Sequence, residues 1–311
     1  MKLVVGTRGS KLALTQTNRT LNWLQTKNPH LEFELKIIHT LGDKEHGKPL
    51  FSIDAKGLFE KEIDQQVVSG EIDFAVHSLK DVPIVEIQTG TVIAAIPKRD
   101  SPNDVFISHN NTPFKDLSRN ATVGTGSLRR LAEIKYLRPD LDVQPIRGNV
   151  DTRINKVQNG ELDGIVIAQA GLERLNIANQ ITETLPLDQF PSAAGQGAIA
   201  LTAKENNTPI ITLLQTIEDP ASKAEITAER SLVLTLEGGC RVPIGAVAKA
   251  NKNQLTLWGS VFALNEQKKI SAQTSGTLNQ ATELGTKVGK ELIKQGAQEF
   301  EKQWREKYGV W

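Results

Sequence analysis

Cysteine occurs once in 311 residues, at position 240. No disulfide can therefore form within the chain, a usage that fits a reducing compartment. Aromatic side chains are scarce, at 5% of the chain, which argues against a surface built to stack nucleic-acid bases. Net charge is close to absent as well: at +1 there is no overall field to draw in nucleic acid or an anionic membrane. Long apolar runs are also missing, and none approaches the roughly 20 residues that cross a bilayer. The opening "MKLVVGTRGSKLALTQ" is broken by Gly6 and Arg8, far short of a signal-peptide core. These absences lead to the expectation of a cytosolic globular protein that binds neither nucleic acid nor membrane. The remaining composition, 39% hydrophobic and 23% charged, is ordinary for that class, and the length allows two or three domains.

Short apolar runs alternate with helix-like stretches. "KLVVG", "FELKII" (33–38), "DFAVHS" (73–78) and "VIAAIP" (92–97) read as strands. Ser10 is placed to cap a helix carrying Leu14, Thr17, Leu21 and Leu24 at helical spacing, and "GLFEKEIDQQVVSG" reads as another helix. From 105 to 175 the pattern recurs, with strands at "VFIS", "ATVGT", "DVQPIR" and "GIVIA" and helices starting near Ser127, Asp151 and Gln169. Such alternation implies mostly parallel sheets covered by helices. "PKRDSPND" (97–104) and "FPSAAGQG" (190–197) look like hinges, and "EDPAS" (218–222) is a third break. Beyond it come a helix ending near Leu236, strands such as "QLTLWGSVFAL" and a polar helix from about Gln280. The expected division is domain 1 at 1–97 plus 198–218, domain 2 at 103–191 and domain 3 at 221–311. A double crossing between two α/β lobes leaves a cleft, a usual place for a ligand. No internal repeat is evident.

Several polar clusters fall where strands end. In "VHSLKDVP" (76–83), Ser78, Lys80 and Asp81 follow a strand at once, the position at which open parallel sheets bind ligands. A cation beside a carboxylate can hold an anion while the carboxylate meets a developing positive charge or a proton; the alternative is a solvated turn before Pro83. His77 points opposite to Ser78 if the strand alternates, which favours a packed histidine over a base. "VGTGSLRRLAEIKYLRPD" (123–140) passes from strand through a Gly-rich turn into a helix, whose free N–H groups suit an anion. It is neither a dinucleotide fingerprint nor a Walker loop. Arg129 and Arg130 in the first turn oppose the helix dipole, so either they have a negative partner or they are surface charge. Arg147, Arg153, Arg174, Arg8 and Lys56 occupy comparable places, and together they suggest a small polyanion held by arginine forks. Cys240 stands in "LEGGCRVPIG", either as a small packed residue or as a thiol with a task.

Read in order, "TRGSKLALTQ", "KGLFEKE", "VHSLKDVP", "GTGSLRR", "RGNVDTR", "AQAGLERL", "AAGQGAIA" and "LEGGCRVPIG" resemble the motifs of the porphobilinogen deaminase (hydroxymethylbilane synthase) family. The resemblance runs through about residue 249. It implies two periplasmic-binding-protein-like lobes with mixed, mostly parallel sheets and a double hinge, plus a smaller α+β C-terminal domain. It implies a transferase of haem and porphyrin biosynthesis. Four porphobilinogen units are deaminated and joined head to tail on a dipyrromethane cofactor, and water then releases hydroxymethylbilane. By the same resemblance Cys240 anchors the cofactor through a thioether, in a loop whose glycines leave room for the pyrroles, and Asp81 is the catalytic aspartate. Lys80, Ser127, Arg129, Arg130 and Arg153, with Asp81, match cofactor-binding positions. Arg8, Ser10, Arg147 and Arg174 match substrate-binding positions, Lys56 and Phe59 match a mobile segment over the cleft, and Gln196 lies in the returning hinge. A monomer with no metal is implied, with a possible handover of product to uroporphyrinogen III synthase.

Two positions depart from the family pattern. Gly126 replaces a common serine, which removes a hydroxyl, and Ala55 replaces a common glycine, which narrows backbone freedom. Two other classes of protein are weighed against the enzyme. A solute receptor of the same lobed shape needs no covalent anchor and usually has a signal peptide. A cysteine hydrolase needs a base near Cys240, and none of the five histidines (30, 39, 46, 77 and 109) shares a motif with it.

Overall fold

The computed structural model describes residues 2–40, 60–84, 90–236, 243–264 and 267–308. Cys240, Lys56, Phe59 and Ala55 lie outside them. Three sheets are formed among the described residues. The first contains β1 (Lys2–Thr7), β2 (Glu32–Ile37), β3 (Phe74–Ser78), β4 (Thr91–Ala95) and β10 (Ile199–Lys204), in the order β2-β1-β3-β10-β4. The second contains β5 (Asp104–Ser108), β6 (Thr122–Thr125), β7 (Asp142–Pro145), β8 (Gly164–Ala168) and β9 (Glu183–Thr184), in the order β7-β6-β8-β5-β9. The third is an antiparallel meander of β11 (Ile244–Asn251), β12 (Gln254–Phe262) and β13 (Lys269–Thr277).

The two five-stranded sheets share one plan that no sequence repeat announces. In the first, β1 pairs in parallel with β2 and β3, while β10 runs antiparallel to both β3 and β4. In the second, β6 pairs in parallel with β7 and β8, and β5 runs antiparallel to β8 and β9. Four strands of each sheet thus point one way and one is reversed. Each reversed strand is the one the chain enters as it crosses from the other lobe. Residues 96–103 lead from β4 into β5, and residues 185–198 lead from β9 into β10. The lobes are covalently tied twice, each crossing running from the edge strand of one sheet into the strand next to the edge of the other.

Helices cover the sheets. α1 (Lys11–Lys27) begins where Ser10 Oγ accepts the Ala13 N–H, so the serine caps it as its sequence position predicts. Its inner face packs Leu21 and Leu24 with Leu3, Val5, Phe74 and Leu201. α2 (Lys61–Ser69) follows in the first lobe. α3 (Leu128–Leu137), α4 (Val150–Gln158) and α5 (Gln169–Arg174) belong to the second. There Phe114 meets Phe106 and Phe190 edge to face, at 5.4 and 5.5 Å between ring centroids. α6 (Thr208–Gln215) returns to the first lobe, and its Ile210 and Leu214 join the Leu3–Phe74 core. α7 (Pro220–Thr235) and α8 (Ala281–Lys294) pack Leu232, Val288 and Leu292 on Leu255 and Leu257 of the third sheet. The polar C-terminal helix expected as one piece is two, because Gly296 adopts φ +99° and starts α9 (Ala297–Tyr308) in a new direction. No helix among the described residues is long and apolar enough to cross a membrane.

Candidate active site

The polar residues picked out in the sequence gather where strands of the two lobes end. β3 runs straight into a single 3-10 turn, Leu79–Asp81, closed by the Val82 N–H on the Leu79 carbonyl at 3.0 Å. Leu79 is buried and anchors the turn, while Lys80 and Asp81 are half-buried. The alternation inferred for β3 holds. Ser78 Oγ donates to Gln16 Oε1 at 3.0 Å, whereas His77 is buried on the other face with Nε2 3.1 Å from Thr202 Oγ1. Burial, helped by the charge of Arg8, lowers the His77 pKa to about 4, so this histidine is neutral and packed.

Opposite this turn, the second lobe contributes α3 and the 146–153 segment. Ser127 caps α3, its Oγ accepting the Arg130 N–H at 3.5 Å. Arg153 sits half-buried near the start of α4, with Nε donating to the Gly148 carbonyl at 2.8 Å. The charges interact across the gap. Burial, then the neighbouring Arg130, brings the Lys80 pKa down to about 8, against the opposing pull of Asp81 and Asp104. Burial and Arg130 also bring Arg153 down to about 10, with Asp81 opposing and Arg147 adding to the fall. Lys80, Asp81, Arg130, Arg147 and Arg153 are therefore linked electrostatically, with the half-buried Asp81 and the buried Asp104 as the carboxylates acting on Lys80. Lys11 of α1 in the first lobe and Asp151 of α4 in the second approach to 4.0 Å, with both side chains exposed.

Arg129 and Arg130 do have the negative partner that their place at a helix start calls for, and it is internal. Asp104, the first residue of β5, is fully buried. Its Oδ1 accepts Arg130 Nη2 at 2.7 Å, Arg130 Nε at 3.1 Å and Gln196 Nε2 at 2.9 Å; its Oδ2 accepts Arg129 Nη2 at 2.7 Å. Burial alone would raise the Asp104 pKa, but the two guanidiniums outweigh it and hold the carboxyl well below the usual range. Arg129 also grips Glu133 at 2.7 Å and the Pro191 carbonyl at 2.9 Å. Arg174 donates to Asp100 Oδ2 at 2.8 Å, to Gln16 and to the Gly197 carbonyl. Neither Arg129 nor Arg174 presents an open fork to the cleft. Both tie the crossings to the lobes.

The second crossing fits against the first and against the Asp81 turn because of two glycines with positive φ. A Cβ on Gly195 (φ +80°) would stand 2.3 Å from Leu79 Cδ2, and one on Gly197 (φ +83°) would stand 2.5 Å from the Ser101 carbonyl oxygen. Their place in "AAGQGAIA" is thus a packing requirement. Sequence reasoning passed over the groups that hold this assembly: Asp100, Asp104, Arg99, Glu229 and Arg230. Of these only Asp104 leaves a local trace, as a carboxylate heading the apolar run "DVFIS".

Residues 3–212 match the family described as porphobilinogen deaminase, dipyromethane cofactor binding domain, and residues 223–294 match porphobilinogen deaminase, C-terminal domain. The chain belongs to the porphobilinogen deaminase family. A probable porphobilinogen deaminase of Nitrosopumilus maritimus is 44% identical over all of this chain and 99% of its own length. The porphobilinogen deaminases of Syntrophus aciditrophicus and Brevibacillus brevis are each 42% identical, over 94% and 95% of this chain and 95% of their own. Much more distant likenesses exist among solved structures. The VFT2 domain of Bordetella pertussis BvgS has a TM-score of 0.42 at 16% identity, covering 70% of this chain and 85% of that one. Membership makes the chain a transferase of tetrapyrrole biosynthesis with a dipyrromethane-binding domain.

The departure at Gly126 has a local cause in this backbone. A Cβ there would stand 2.9 Å from the carbonyl oxygen of Ile146, just past β7, so this backbone leaves little room for a side chain. Lys56, Phe59 and Cys240 lie outside the described residues, as does the change at Ala55.

Proposed function

We propose that the chain joins porphobilinogen units head to tail on a dipyrromethane held by Cys240, with Asp81 as the catalytic carboxylate, and releases hydroxymethylbilane. The observation that supports this reading is that Lys80 and Arg153 share a half-buried setting with Asp81, where burial and then the nearby Arg130 lower the proton affinity of both. Such a cluster favours a ligand rich in carboxylates, and each pyrrole ring of this chemistry brings two. The residues therefore fit the cofactor. When bound, the dipyrromethane supplies the free pyrrole carbon to which each new unit is joined.

Asp81 faces the site where positive charge develops as ammonia leaves the aminomethyl group. Its carboxylate stabilises that charge and accepts the pyrrole N–H, which orients the ring. Lys80, Arg147 and Arg153 hold acetate and propionate groups, and half-burial strengthens these contacts because fewer waters compete. We assign Arg8 and Ser10, just before α1, to the same ligand on the family resemblance. Arg129, Arg130, Arg174 and Gln196 act mainly through the crossings, fixing the distance between the lobes. We extend the reading to a cytosolic monomer whose product passes to uroporphyrinogen III synthase. The single cysteine supports the cytosolic part of that reading.

The test is Asp81→Asn, which keeps the shape and removes the charge. Turnover of porphobilinogen should fall by about 100-fold or more at unchanged circular dichroism, the scale of a lost charge-stabilising group. Turnover within a few-fold of the parent would contradict the assignment.

A further inference from the structure

The segment just beyond Asp81 is held by the third domain. Arg230 of α7 donates from Nη1 to the Val82 carbonyl at 3.1 Å and from Nη2 to the Pro83 carbonyl at 2.6 Å. These carbonyls lie past Ser78, the last residue of β3 paired with β10. One helical turn earlier on the same face of α7, Ile226 is buried in the cluster that contains Leu79 and Val82. Ile84 packs against the core of the third domain. The turn carrying Asp81 is thus seated on α7 by apolar contact and fastened to it by one planar fork spanning two successive carbonyls. In the sequence Cys240 lies ten residues beyond Arg230.

From this geometry we infer that Arg230 is a positioning residue for Asp81. It fixes the carboxylate relative to α7 and the core of the third domain while the chain of pyrroles grows. The inference rests on Asp81 being the catalytic carboxylate. A guanidinium suits the task because its donors diverge in one plane, whereas an ammonium at the end of a lysine reaches one carbonyl well and the other poorly. Small misplacements of a reacting group are costly, up to about 100-fold for an ångström.

The experiment compares Arg230→Met and Arg230→Lys with the parent as holoenzymes, with rates expressed per cofactor-loaded molecule counted by intact mass. For Arg230→Met, kcat should fall by roughly 10-fold or more while the KM for porphobilinogen stays within about twofold, the pattern of a group that acts in the transition state only. Arg230→Lys should recover part of the loss. In an Asp81→Asn background the Arg230→Met change should have little further effect, since there is no carboxylate charge left to aim. A parental kcat per loaded molecule in Arg230→Met would overturn the inference, as would a full additional loss in the Asp81→Asn background. If Arg230→Met does not fold, Arg230→Lys decides: a lowered kcat at constant KM supports the role, and an unchanged kcat refutes it. A near-normal rate in Asp81→Asn alone would instead remove the reading of Asp81 on which the inference stands.

Discussion

Arg99, in the first crossing, grips Glu229 of the third domain at two points, Nη1 to Oε1 at 2.7 Å and Nη2 to Oε2 at 3.1 Å. Both side chains are out of solvent, at 4% and 0% exposure. The remaining capacity of Glu229 is filled by the backbone N–H of Gly195, in the second crossing, and of Ala248, on β11, each at 2.8 Å. Arg99 Nε donates to the Gln196 carbonyl at 2.9 Å. One buried ion pair therefore joins both crossings to the third domain. The hinge between the lobes is braced at the edge next to Asp81.

Breaking that pair from one side should be expensive. Arg99→Leu leaves Glu229 buried without its counter-charge, and the cost expected is about 3–5 kcal/mol. Urea unfolding followed by circular dichroism measures it. A loss below about 1 kcal/mol, the range of surface pairs, would show that the pair does not brace the crossings.

Gly126 gives a second test, of local packing. Gly126→Ser introduces the serine that the family resemblance leads one to expect, but sets a Cβ against the Ile146 carbonyl, 2.9 Å away in the present backbone. The variant should lose about 1–3 kcal/mol, the usual effect of overpacking. Equal or greater thermal stability would mean that the 146–148 segment yields freely.

The strands were legible because alternating or continuous apolar runs are bounded by glycine and proline, and Ser10 and Ser127 mark helix starts by their capping chemistry. The reversal of β10 and β5 was not legible. Strand direction depends on which lobe the chain is entering, and that is settled by pairings across large sequence separations, such as Ala200 with His77. At the site, Lys80 and Asp81 showed themselves by standing at a strand end. Arg129 betrayed the need for an anion by opposing the helix dipole, and Glu133 stands at the i,i+4 spacing that could have suggested one partner; that Asp104 is the other was hidden, since a contact spanning 25 residues leaves no local pattern. Arg99, Glu229 and Arg230 look like ordinary members of polar stretches, and only the packing of the third domain on the crossings gives them their roles.

Lys80 sets a pH dependence. Burial and the nearby Arg130 lower its pKa from 10.5 to about 8. Between those values the native state holds fewer protons than the unfolded chain, so this group makes stability rise with pH from about 8 to 10.5. The difference in unfolding free energy between the parent and Lys80→Gln should show that rise. Binding of a carboxylate ligand favours the charged ammonium and should take up a proton above pH 8, which calorimetry in buffers of different ionisation enthalpy detects. No proton uptake would place Lys80 away from the ligand's carboxylates.

Asp104→Asn tests the internal counter-charge. It leaves Arg129 and Arg130 facing a neutral amide in a buried setting, and a loss of about 3 kcal/mol or more is expected. The freed guanidiniums gain a use for an external carboxylate. Porphobilinogen should therefore raise the midpoint of thermal unfolding by more in this variant than in the parent. An equal or smaller rise would show that the pair does not reach the ligand site.

The central claim is that this chain carries its primer on its single cysteine, and intact mass spectrometry of the purified protein beside Cys240→Ala addresses it most directly. The account predicts that the parent, as isolated or after incubation with porphobilinogen, exceeds its polypeptide mass by two linked pyrroles, and that Cys240→Ala never does. A parent that stays at the bare polypeptide mass after incubation, or a Cys240→Ala variant that gains the same excess, would contradict it.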